Sequence, residues 1–140
     1  QAPTRVGPLI HPEHFARVSG FVERAKAAGA KVLWGGAKSD FGALYFQPTM
    51  FGGVSPQDEI SQKEVFGPVL TWQTFSSEDE AIAIANGTEY GLAGTLFCSN
   101  EDRAMRIASA ASRSGVMSEA GVLTRSRASA VAPASRRTCA

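Results

Sequence analysis

Cysteine is scarce in this chain of 140 residues: only Cys98 and Cys139 occur, in no CxxC or metal-ligand spacing. That scarcity argues against a disulfide framework and a cysteine-held metal, and it favours a reducing, cytoplasmic setting. No apolar run approaches the roughly 20 residues a membrane helix requires, so no membrane partner is expected. Acidic residues are missing from the C-terminal end. All 13 Asp and Glu lie at or before Glu119, together with 10 of the 14 Lys and Arg, which leaves residues 1–119 at −3 and residues 120–140 at +4. A body with that balance lacks the basic surface of a nucleic-acid binder, and no nucleic-acid partner is expected. The chain begins at Gln1 with no signal-peptide pattern, and it reads as an internal piece of a longer product.

What is present suits a folded domain. Hydrophobic residues make up 44% and charged residues 19%, enough apolar material for a core in one domain or part of one. His11-Pro12-Glu13 opens a helix, with proline in the first turn and an acid at the positive end of the helix dipole. Phe15, Val18, Val22 and Ala25 then recur at helical spacing, and Gly29 supplies a stop. "AKVLWGG" reads as a strand, residues 37–44 as a loop, and "YFQPTMF" as an extended piece that Pro48 keeps at an edge or bends. "VLTWQTF" reads as a further strand. Ser77 with Glu80 forms a capping-box pattern ahead of a helix through Ala85. "GLAGTLFC" reads as a buried strand, and Ser99-Asn100 caps a helix that carries Ala104, Ile107, Ala108 and Ala111 on one face. "GVM" at residues 115–117 could start another strand. Alternation of strand and helix argues an α/β domain with a largely parallel sheet and flanking helices.

"KEVFGPVLTW", residues 63–72, sets Glu64 and Phe66 two residues apart in front of a strand. On extended backbone such residues share a side, so they could form a ligand site. A solvated acid beside a core aromatic is the alternative, and spacing alone favours it, since acids near strand ends are common. The two histidines, His11 and His14, sit at one helix start, where a solvated face accounts for His14 and for Arg17.

Followed by "EDEAIAIANGTEYGLAG", the "KEVFGPV" segment resembles the NAD(P)-dependent aldehyde dehydrogenase superfamily. "GPLI", "GAKVLWGG" and "YFQPTMF" fit the same family in the same order, over about residues 7–117. The resemblance implies an incomplete aldehyde-dehydrogenase-like catalytic domain over residues 1–117, from a parent that oxidises an aldehyde with NAD or NADP and forms a homo-oligomer. It implies that Glu64 accepts hydrogen bonds from the nicotinamide ribose hydroxyls, a task suited to a carboxylate. It implies that Phe66 lies against the nicotinamide end, where an aromatic face can confine a flat ring. Leu92 resembles a position near the nicotinamide pocket, although a core leucine explains it as well. His14 and Arg17 fall near family positions at the adenosine end. The nucleophilic cysteine, general-base glutamate, oxyanion-hole asparagine and phosphate loop of the family belong upstream. Cys98 reads instead as a small buried hydrophobe, so no catalytic residue is expected here and the isolated chain is expected to be inactive. A non-catalytic α/β interaction module on the same scaffold is the alternative. "GPLIHPEH" is similar to branches that act on hydroxymuconic semialdehydes.

Past Met117 the resemblance stops. Residues 118–140 are rich in Ala, Ser and Arg without helix or strand period, which is what G+C-rich DNA encodes when read out of frame. A frame change near Val116–Ser118 is expected, against the rival of a basic tail for an acidic partner.

Overall fold

His11 starts the first helix with its own ring: Nδ1 accepts a hydrogen bond of 3.1 Å from the backbone N–H of His14. Pro12 has no N–H to leave unpaired in that turn, so α1 runs from Pro12 to Ala27. Gly29 ends it at φ +93°, a left-handed conformation that costs a residue without Cβ little. The structure, a computed structural model, describes residues 6–91 and 94–111. The predicted strand at residues 115–117, the tail from residue 118 and Leu92 lie outside those residues.

The chain divides into two compact units, Gln1–Thr74 and Phe75–Ala140. In the first, α1 is followed by β1 (Lys31–Trp34), β2 (Thr49–Gly52), a short α2 (Glu59–Gln62) and β3 (Val69–Thr71). The sheet order is β1-β2-β3. β2 and β3 pair in parallel, with Met50 opposite Leu70, and the crossover between them carries α2. β1 and β2 pair antiparallel, Val32 opposite Phe51, with an irregularity between Val32 and Trp34. The α/β assignment therefore holds, but among the described strands the sheet is mixed rather than largely parallel. The reason is the connection: residues 35–48 contain no helix, and strands joined by a loop that simply turns back run antiparallel.

The core of this unit lies between α1 and one face of the sheet. Val18, Val22 and Phe51 are fully buried, joined by Phe21, Ala25, Phe46, Ile60 and Val65. Phe15 packs edge-on against Phe46 at 5.7 Å. Full burial of side chains of this size contributes about 1.5–3 kcal/mol each. Of "YFQPTMF" only Thr49, Met50 and Phe51 lie in strand β2: Pro48 lacks the N–H, and Phe46 joins Lys38 in an isolated bridge.

The regular elements described in the second unit are two helices. α3 (Glu78–Ala85) begins at Ser77, whose hydroxyl accepts from the Glu80 N–H at 3.1 Å. The Glu80 carboxylate reaches back to the N–H and hydroxyl of Ser76, one residue earlier than an ideal capping box. α4 (Glu101–Ala110) is capped by Asn100, and Ala104 and Ile107 are its buried residues. Glu78 is paired with Arg103, and the Asn86 amide donates to the Ala110 carbonyl at 2.9 Å. The expected strand at "GLAGTLFC" is not formed over residues 94–98, although Cys98 is buried. An extended run becomes a strand only beside another, and the described part of this unit offers two helices and no second extended run.

Candidate functional site

Four of the five residues singled out for cofactor contact meet at one place, the loop that joins α2 to β3. Its inner residues attach it to the core. Val65 is buried in the cluster with Ile60 and Val18. Gly67 lies so close to α1 that a Cβ there would stand 2.7 Å from Cγ2 of Val18. The Pro68 carbonyl accepts from Thr49 N–H at 2.8 Å and so sets the β2–β3 register. Glu64 and Phe66, on either side of the buried valine, are exposed, Phe66 to 68%. Both line an open cleft of about 330 Å³ with Lys63, Leu70 and Thr71. Their common exposure does not come from a simple strand alternation, because Phe66 has φ +54°. For a non-glycine residue that conformation costs about 1–3 kcal/mol.

α1 holds the loop from beneath. His14, Arg17, Phe21 and Arg24 follow one another at steps of three and four and so form a stripe along the helix. The guanidinium of Arg17 donates to the Glu64 carbonyl at 2.7 Å and to the Val65 carbonyl at 3.2 Å. His14 Nε2 stands 2.5 Å from the Phe66 carbonyl, which can only accept, so Nε2 carries the proton. Three consecutive carbonyls are thereby held by two side chains. Charged donors contribute about 1.5–3 kcal/mol per bond when shielded and less where, as at Glu64, water competes; together these bonds can offset the strain at Phe66. The Arg17 guanidinium also lies 5.4 Å from the Phe21 ring centre and 5.7 Å from that of Phe66. Further along the stripe, Arg24 grips Glu59 of α2 through two hydrogen bonds of 2.8 and 3.0 Å. That contact holds the Glu59 carboxyl below its usual range.

Chemically, the loop presents a hydrogen-bond-accepting carboxylate and an exposed aromatic face beside a cleft. The adenosine-end positions suggested for His14 and Arg17 are occupied by side chains whose hydrogen bonds run to this backbone. Leu92 lies outside the described residues. Cys98 is buried, and no group of three or more His, Cys, Asp or Glu residues that could hold a metal occurs among the described residues. No described helix is long and apolar enough to cross a membrane. Sequence reading missed the fit of Gly67 against Val18 and the grip of Arg17 on the loop. The spacing of His14 and Arg17 on one helix face was the available signal, but it does not say what that face meets.

The sequence model of the aldehyde dehydrogenase family matches residues 1–130. Among curated relatives, betaine aldehyde dehydrogenase of Bacillus subtilis is 43% identical over 111 residues, covering 76% of this chain and 23% of that protein. Among solved structures, betaine aldehyde dehydrogenase from Staphylococcus aureus in complex with NAD+ is similar with a TM-score of 0.77 at 37% identity, covering 84% of this chain and 24% of that one. Mycobacterium tuberculosis aldehyde dehydrogenase complexed with NAD+ gives a TM-score of 0.75 at 34% identity, again over 84% of this chain and 24% of that one. The chain spans less than a quarter of the length of each of these proteins.

Proposed function

Because the chain belongs to the aldehyde dehydrogenase family, we propose that the loop from Lys63 to Pro68 is one wall of the nicotinamide-ribose site of an enzyme that oxidises an aldehyde to a carboxylic acid with NAD or NADP. The observation that carries this is the pairing of an exposed carboxylate and an exposed ring on a loop whose intervening residue is buried. The residues fit the group: Glu64 can accept from two vicinal ribose hydroxyls, and Phe66 can confine a flat ring. When bound, the cofactor takes up the hydride lost by the substrate carbon. The contribution of this chain is orientation, on which hydride transfer depends steeply.

The family resemblance supports a nucleophile supplied by polypeptide upstream of these residues; Cys98 is buried, and Cys139 lies outside the described residues. The intact parent is a cytoplasmic homo-oligomer without nucleic-acid or membrane partners, a reading supported by cysteine usage, the charge balance of the main body and the family resemblance. A change of reading frame near Val116–Ser118 would account for the Ala-, Ser- and Arg-rich composition of residues 118–140, although the match to the family model runs on to residue 130. The other two frames of the DNA should encode a Val-Asn and glycine-rich continuation; without one, the frame change is discarded.

Titration of the isotopically labelled chain with NAD+ or NADP+ tests the site. Amide and ring resonances of Glu64 and Phe66 should shift with cofactor, and Glu64→Gln should reduce the response. With an aldehyde added, no reduced cofactor should accumulate. A spectrum indifferent to both cofactors would remove the assignment of this wall, and turnover by the chain alone would refute the external nucleophile.

A further inference from the structure

The grip of α1 on the loop does more than add stability. Fixing the direction of the carbonyls at Glu64, Val65 and Phe66 fixes three successive peptide planes. Those planes determine the backbone dihedrals of Val65 and Phe66, and with them the side from which the Phe66 ring leaves the loop relative to Glu64. The flanks are secured otherwise, by burial of Val65 and by the packing of Gly67 on Val18. Neither contact holds Phe66 at φ +54°, which a phenylalanine would leave for a commoner region if freed. We propose that His14 and Arg17 are positioning residues, which set the cofactor-facing geometry of Glu64 and Phe66 through the loop backbone.

This inference rests on reading the loop as a cofactor wall, but its structural half can be tested without cofactor. Two nitrogens of Arg17 are already engaged on carbonyls, and its guanidinium lies near the Phe21 and Phe66 rings. A lysine can keep the charge but cannot span two carbonyls with one fork. A glutamine at position 14 can place an N–H₂ donor near the location of Nε2, whereas an alanine cannot.

The experiment uses the labelled 140-residue chain as wild type, Arg17→Ala, Arg17→Lys, His14→Ala and His14→Gln. Readouts are the three-bond HN–Hα coupling of Phe66, amide exchange at Gly67 and Val69, and the shift of the Phe66 amide on adding NAD+. Amide protection within α1 reports whether each variant folds. Both alanine variants should change the Phe66 coupling, speed Val69 exchange by about tenfold, equivalent to about 1.4 kcal/mol of lost protection, and lower the NAD+ response. His14→Gln should restore all three, and Arg17→Lys should recover only part. An unchanged coupling with a lowered NAD+ response would overturn the proposal in favour of direct cofactor contact. An unchanged coupling and an unchanged response would overturn it outright. If the coupling changes but even the wild-type chain ignores NAD+, the backbone clamp stands and the cofactor-wall reading falls. Should Arg17→Ala lose α1 protection, the His14 pair decides.

Discussion

The two units of the chain put their helices to different uses. In residues 1–74, α1 buries Val18, Phe21, Val22 and Ala25 against a sheet and a loop, and its neighbouring stripe holds backbone carbonyls. In residues 75–140, α3 buries no residue and α4 only Ala104 and Ile107; Glu78–Arg103 and Asn86–Ala110 contacts connect them. A packed core can hold a loop in a costly conformation, because displacing the loop would also disturb buried side chains. A pair of helices joined mainly by polar contacts near the surface has little such leverage. The candidate site accordingly stands where the burial is.

The sharpest way to break this contrast is Phe51→Ala. Phe51 is fully buried at the centre of the first unit, and its truncation should cost about 3–5 kcal/mol. Both tryptophans, Trp34 and Trp72, lie in that unit, so their fluorescence during denaturation reports it selectively. A shift smaller than about 1 kcal/mol would show that the core is not what holds the unit. Gly67→Ala comes next, at about 1–3 kcal/mol, since the new methyl meets Val18, a branched and fully buried side chain. Pairing it with Val18→Ala should give less destabilisation than the sum of the two single changes, a coupling that a double-mutant cycle in the same assay would measure.

The second unit should respond more weakly and separately. Asn100→Ala and Ser77→Ala each remove a helix cap and should cost about 1 kcal/mol, visible as lost helical circular dichroism with no movement of the tryptophan transition. A matching tryptophan shift would show that the two units unfold together.

The smallest effects are set by pH. The Ser76 hydroxyl and N–H hold the Glu80 carboxyl below its usual 4.5, and the hydrogen bond from Arg24 does the same to Glu59. Both folded values are depressed, so both contributions are complete above the ordinary carboxylate range and fade as pH falls through the folded values. Mild acid should therefore weaken each unit slightly. Ser76→Ala should reduce the acid response of α3, followed by circular dichroism, while the fluorescence response of the first unit stays as it was.

Much of the first unit could be read in advance because its signals are local. The stripe of Val18, Val22 and Ala25, the proline start and the glycine stop each act within a few residues. So did Ser77 and Asn100 as caps. The short α2 escaped, since four residues show no period, and so did the antiparallel β1–β2 pair, which depends on how a 14-residue loop returns. "GLAGTLFC" failed for the converse reason: its composition suits a strand, but strand formation depends on a neighbour that composition cannot supply. At the site, the family resemblance singled out Glu64 and Phe66; their two-residue spacing alone fitted a solvated acid beside a core aromatic better. That His14 and Arg17 reach the loop's backbone is a tertiary fact, invisible until α1 is packed beneath residues 64–66.

Phe66 has one more consequence, for how this position can change over generations. A glycine would sit at φ +54° with ease, and since the ring is largely exposed, its loss would sacrifice little burial. Phe66→Gly should therefore leave thermal stability level or raise it by up to about 1 kcal/mol, while abolishing the aromatic wall. Selection for robustness alone would erode the phenylalanine; if the loop is the proposed cofactor wall, selection for catalysis in the parent enzyme would retain it. Under that proposal the residue would place durability and activity in opposition at a single codon.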